Sequence, residues 1–126
     1  YMNLSGRSVK PAMAANQLLA GRVLVVHDEI DLPFGQVQLK VGGGLAGHNG
    51  LKSITDSLST KEFVRVRVGV GRPGPGDRRP IRDWILSRWD QGPEDVRMLV
   101  DSATAAVELV VRRGVRAAMN KVNVRA

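Results

Sequence analysis

The chain has 126 residues, 43% hydrophobic and 25% charged, with no cysteine and no apolar run near the roughly 18 residues of a membrane-crossing helix. This excludes disulfide staples and a cysteine nucleophile, speaks against a helical membrane span, and sets the expectation of one soluble domain around one core. With no signal-peptide pattern either, cytoplasm is the default compartment. Nineteen Lys and Arg against twelve Asp and Glu leave a net charge of +7 and a pI near 10.8, which favours a polyanionic partner such as nucleic acid. The excess is concentrated in "KEFVRVRVGVGRPGPGDRR" (61–79) and in the tail "VVRRGVRAAMNKVNVRA" (110–126), which follows the last acidic residue, Glu108. Aromatics are only 4%, so contact with a phosphate backbone through Arg and Lys fits better than stacking of bases on rings.

In chain order, "SGRSVKPAMAANQLL" (5–19) carries Val9, Met13 and Leu18 or Leu19 at near-helical spacing, with Ser5 as cap. Pro11 implies a kink or a start nearer Ser8. "RVLVVHDE" (22–29) reads as a buried strand ending in polar residues, which puts His27 and Asp28 at its carboxyl end, where open α/β sheets place their sites. "DLPFGQ" is a turn, "VQLKV" (37–41) a half-buried strand, "HNGLKSITDSL" (48–58) a helix, and "VRVRVGV" (64–70) a strand with its arginines on one face. A Pro/Gly/Arg-rich loop (71–80) leads to a short amphipathic piece, "IRDWILSRW", and then to a long helix from about Pro93 to Arg113. The sum is an α/β fold: a single domain, residues 1–126, with a twisted mixed sheet flanked by helices and a C-terminal lid and long helix.

The stretch "GGGLAGHNGLKS" (42–53) contains G-x-G-x-x-G at Gly42, Gly44 and Gly47 after a strand and before a helix, so a dinucleotide cradle has to be tested. That fingerprint needs an acidic residue at the end of the next strand for the ribose, and "VRVRVGVGRP" ends with none. The P-loop pattern fails too, because Leu51 separates Gly50 from Lys52. The glycines are then expected to allow close backbone approach beside His48 and Asn49, with a merely structural loop as the alternative.

Four motifs in order, "YMNLSG" (1–6), "HDEIDLP" (27–33), "LKVGGGLAGHNGLKSI" (39–54) and "RVRVGVGRP" (65–73), closely resemble bacterial peptidyl-tRNA hydrolases and cover most of the chain. The resemblance implies an esterase that cleaves the bond between a peptide and the 3′ ribose of tRNA, with no metal or cofactor. It also implies a peptidyl-tRNA partner, no membrane, and a monomer. In it, Asn3 holds substrate or water and Met2 lines the peptide groove; spacing alone equally allows a helix cap and a core methionine. Asp28 matches the carboxylate that orients the catalytic histidine. Without the resemblance, Asp28, Glu29 and Asp31 read as a solvated turn or a weak cation site. His27 is a bystander, since strand neighbours point to opposite faces. Asn49 matches the residue that binds peptide backbone or water, and His48 one that shapes the pocket; a lone His in a Gly-rich loop is otherwise simply exposed. Lys40 and Arg67 match positions that grip tRNA phosphate, with Arg65 assisting from the same strand face. Gly74 to Trp89 resembles the loop and lid bordering the substrate channel, with Trp84 and Trp89 as packing anchors. The tail arginines read as the solvated face of a helix.

The resemblance also implies an opening strand ending "GLGNPG" and a "TRHN" motif whose histidine is the general base, and neither is matched in these residues. Loss of a base costs about 10²- to 10⁴-fold in rate. The expectation is therefore that the chain lacks the opening segment and is by itself essentially inactive. A noncatalytic tRNA- or RNA-binding module and a nucleotide-binding α/β domain are the alternatives.

Overall fold

The expected first helix forms as α1 (Gly6–Ala15), preceded by a 3-10 turn at Met2–Leu4. The computed structural model describes residues 2–45, 47–86 and 91–123. Of the two starts that the sequence allows, α1 takes the earlier, beginning at Gly6 after Ser5 and not nearer Ser8, and it carries Pro11 inside it, although proline has no N–H for the Arg7 carbonyl. Packing on α2 (Asn49–Leu58) explains this early start. Gly6 is buried, its N–H donates to Ser53 Oγ at 2.9 Å, and a Cβ there would overlap Ser57 Oγ and the Ser53 carbonyl. Ser5 occupies the cap position, but its hydroxyl donates back to the Met2 carbonyl at 2.7 Å and does not cap the helix. Asn16 closes α1 by donating to the Ala12 carbonyl at 2.8 Å, and Gln17 turns the chain at φ 54°. Leu18 and Leu19 are exposed and do not extend the apolar stripe.

Three strands, β1 (Leu24–Glu29), β2 (Val37–Val41) and β3 (Val64–Gly69), form a mixed sheet in the order β1-β3-β2. β1 and β3 are parallel: the Val64 N–H donates to the Val23 carbonyl (3.0 Å) and the Val70 N–H to the Glu29 carbonyl (3.1 Å). β2 is antiparallel to β3, with Gly42 N–H on the Phe63 carbonyl (3.4 Å) and Gly69 N–H on the Gln36 carbonyl (2.8 Å). Helix α2 therefore joins antiparallel neighbours. A dinucleotide unit requires parallel ones, so the topology is at odds with the nucleotide-domain alternative.

The chain forms two compact units, Tyr1–Val25 with Lys40–Arg65, and Val26–Leu39 with Val66–Ala126. In the first, Leu51, Ile54 and Phe63 form a buried cluster, with Val9, Val23, Val25, Leu45 and Leu58 against it. The second buries Leu39, Val66, Leu99, Ala106 and Ala118. Its helices are α3 (Ile81–Leu86), α4 (Pro93–Arg113) and α5 (Val115–Val122). Helix α4 has the expected boundaries: Pro93 opens it, Glu94 and Asp95 sit in its first turn, and Arg112 and Arg113 in its last, each favourable to the helix dipole. Gly114, at φ 84° and ψ 165°, breaks the helix in a conformation that side chains rarely adopt. What reads in sequence as a basic tail begins with the last turn of α4 and continues as a second helix, α5.

Just beyond α5, the Asn123 side chain acts as a strand partner for β2. Its Oδ1 accepts from the Leu39 N–H at 2.8 Å and its Nδ2 donates to the Leu39 carbonyl at 2.9 Å. Asn123→Ala removes both bonds, and we expect it to cost about 1–3 kcal/mol in urea denaturation. Asn123→Asp keeps the acceptor only and should fall between. An unchanged midpoint in the alanine variant would mean that the amide does not secure the strand.

Candidate active site

In the first unit, the fold brings together the "MN" and "HNG" motifs. A Cβ built on Gly50 would stand 2.6 Å from Met2 Cγ and 3.0 Å from His48 Cε1, so the thioether chain and the imidazole both lie against that glycine. Met2 is 52% exposed, which removes the reading of a core methionine. Asn3 is exposed on the 3-10 turn and caps no helix. Asn49 is exposed as the first residue of α2. His48 caps that helix: its Nδ1 accepts from the Leu51 N–H at 3.1 Å, so this nitrogen carries no proton. Sequence reasoning missed the capping role, although His immediately before a helix was the available signal.

Arg65 corrects an expectation. The alternation of "VRVRV" offers it as an accessory phosphate ligand, but the residue is 1% exposed. Its Nη1 donates to the carbonyls of Gly42 (3.0 Å) and Gly44 (2.9 Å), so it organises the glycine loop from within. Gly42, Gly43 and Gly47 all have positive φ, and the Lys40 side chain folds over Gly43, where a Cβ would stand 2.8 Å from Nζ. The glycines thus serve backbone shape and close approach.

In the second unit, β1 departs from the buried strand that its apolar run suggests, since Val26 is exposed; His27 and Glu29 are buried and Asp28 half-buried, with the neighbours on opposite faces as expected. His27 Nδ1 lies 2.8 Å from the carbonyl oxygen of Asp28. Arg67 bridges the strands on either side of it, donating from Nε to Glu29 Oε1 (3.1 Å) and from Nη1 to Gln38 Oε1 (2.8 Å). Glu29 Oε2 also accepts the Asp31 N–H at 3.2 Å, and Asp31 pairs with Arg72. Glu29 and Asp31 are therefore each paired with an arginine, Glu29 buried and Asp31 at the surface, and among the described residues no group of carboxylates is arranged to hold a metal ion. With its side chain 17% exposed, Arg67 can meet a phosphate only through the edge that Glu29 and Gln38 leave open.

The family model described as peptidyl-tRNA hydrolase matches residues 1–126. The chain belongs to the peptidyl-tRNA hydrolase family. It is 51% identical over 128 residues to the peptidyl-tRNA hydrolase of Sorangium cellulosum, covering 99% of this chain and 56% of the relative. To that of Nocardia farcinica it is 47% identical over 124 residues, covering 98% and 63%. The solved structure of the Acinetobacter baumannii peptidyl-tRNA hydrolase superposes with a TM-score of 0.81 at 33% identity, covering 98% of this chain and 62% of that one. The chain thus spans less than two thirds of the length of these family members. Within the stretch resembling the family's loop and lid, α3 carries a half-buried Trp84, while Trp89 lies outside the described residues. A cleft of about 640 Å³ opens in the second unit between the start of β2 and helices α4 and α5, lined by Gln36, Ser102 and Lys121 among others. None of the expected site residues lines it, so its size alone does not make it the reaction site.

In the loop before α3, Asp77 accepts from the Arg79 N–H at 3.0 Å and from its guanidinium. The side-chain bond above all, and then the backbone bond, lower the Asp77 pKa from 3.8 to about 2. A depressed carboxylate supports the fold above its unfolded pKa, and this support disappears as the pH falls through about 2. A carbon-detected titration should place the Asp77 midpoint near 2, and Arg79→Gln should move it up towards 3.8. A midpoint of 3.8 in the unaltered chain would show that the loop is not held by this pair. For the cap, His48→Ala should cost about 0.5–2 kcal/mol of stability, while His48→Asn should restore most of it. Equal melting of all three proteins would remove the capping role.

Proposed function

We propose that the protein carrying these residues hydrolyses the ester between a peptide and the 3′ ribose of tRNA. The observation that carries this reading is the meeting of Met2 and His48 at Gly50, with exposed Asn3 and Asn49 beside them, in a chain of this family. Met2 offers apolar contact to the peptide. The Asn3 and Asn49 amides can each donate to a substrate carbonyl and accept from water or a peptide N–H, which is the pairing a peptide backbone needs. His48 shapes the start of α2 and is engaged as its cap. The half-buried Asp28 carboxylate is assigned as the orienter of a histidine base supplied by residues outside these 126, fixing its tautomer and stabilising the imidazolium formed as water is deprotonated. Lys40, with the open edge of Arg67, takes the tRNA phosphates and sets register without reading bases. Peptidyl-tRNA is thus the partner, and a monomer suffices for every role.

Release of labelled N-acetylated amino acid from its tRNA tests the reading, comparing this chain with one joined to the opening segment of a family relative. Cleavage is expected in the extended protein and should fall about 10²- to 10⁴-fold with Asp28→Asn. Asn49→Ala should lower kcat/KM with the melting temperature retained. If the extended protein binds tRNA and releases nothing, the activity is lost and a binding module takes its place.

A further inference from the structure

The two basic segments of the sequence have different fates in the fold. Of the six cations in 61–79, four are held: Arg65 by the Gly42 and Gly44 carbonyls, Arg67 by Glu29 and Gln38, Arg72 by Asp31, and Arg79 by Asp77, while Lys61 and Arg78 are exposed. At the junction of α4 and α5 the opposite holds. Arg112, Arg113, Arg116 and Lys121 are exposed, no acidic residue follows Glu108, and among the described residues none of the four forms an ion pair. Arg112 to Arg116 spans five residues around Gly114, so their Cα atoms lie within about 14 Å.

Helix electrostatics explain only part of this cluster. Arg112 and Arg113 end α4, where the dipole favours a cation, but Arg116 stands in the first turn of α5, where it does not. A cation kept in an unfavourable place beside two others indicates a surface shaped for an external anion. The guanidinium forks match phosphate oxygens. No aromatic residue lies between Trp89 and the end of the sequence to read bases by stacking.

We propose that the α4–α5 junction is an RNA-backbone binding surface, additional to Lys40 and indifferent to sequence. That the RNA is tRNA rests on the function proposed above; the phosphate chemistry does not. The test is fluorescence anisotropy with unacylated tRNA and with an unrelated RNA hairpin, from 50 to 200 mM salt. Compared with the unaltered chain, Arg112→Gln/Arg113→Gln/Arg116→Gln should bind both RNAs at least about tenfold more weakly at the lower salt. Its plot of log affinity against log salt should be shallower by about 2–3. The corresponding triple lysine variant should keep most of the affinity, and Arg116→Gln alone should lower the slope by about 1, covering the case of a triple variant that fails to fold. Three results would each overturn the proposal: equal affinity and slope in the folded glutamine variant, no RNA binding by the unaltered chain, or arginine-dependent binding to phosphatidylserine vesicles with none to RNA. Ester release without any effect of these variants on RNA binding would sink this surface alone. RNA binding through it without ester release by the protein joined to a relative's opening segment would sink the catalytic reading alone.

Discussion

A positive charge buried at Arg65 is the constraint on which the candidate site in the first unit depends. A guanidinium at 1% exposure is tolerable only if hydrogen-bond acceptors replace water, and the Gly42 and Gly44 carbonyls do so. To turn those carbonyls towards one side chain, the segment takes positive φ at Gly42 and Gly43, which glycine adopts without the clash of a Cβ. The loop then delivers His48 to the start of α2, where the ring closes the helix by accepting from Leu51. The same ring rests with Met2 against Gly50. A glycine pattern that resembles a phosphate cradle is thus used with its carbonyls engaged inward by an arginine.

The second arginine of β3 does a related job by different means. Arg67 stands on the central strand and reaches Glu29 on one neighbour and Gln38 on the other, so one side chain ties the three strands together near the end of β1. Glu29 is buried and also takes the Asp31 N–H, which defines the turn leaving the strand. Asp28 lies between two buried residues, His27 and Glu29, and strand alternation keeps it on the opposite face from both. The orienting role proposed for Asp28 would gain from such a support, because a displacement of about 1 Å can cost as much as 10²-fold in rate.

The distribution of charge follows from these commitments. A net charge of +7 describes the sequence, but a partner meets only the cations that the fold leaves uncommitted. The β3 segment and the loop after it spend several arginines on internal and local acceptors, whereas the helical C-terminal part keeps its own at the surface. Asn123 binds that helical part to β2 through the backbone N–H and C=O of one residue, Leu39.

By itself the sequence determined the features that depend on near neighbours. Pro93 and the acids after it start α4, glycine at 114 ends it, an apolar run marks β1 and alternation β2 and β3, and the motif residues Met2, Asn3, Asp28, His48 and Asn49 can be picked out one by one. Only the tertiary structure decided which partner each polar group takes. Arg67 meets Glu29 across 38 residues and Leu39 meets Asn123 across 84, distances at which no helical or strand period carries information. Pro11 inside α1 has the same origin, since packing of Gly6 on α2 overrides a local preference worth a few kcal/mol. Periodicity and capping are short-range and legible in order. The fate of a charge depends on which acceptors the folded chain places within about 3 Å of it.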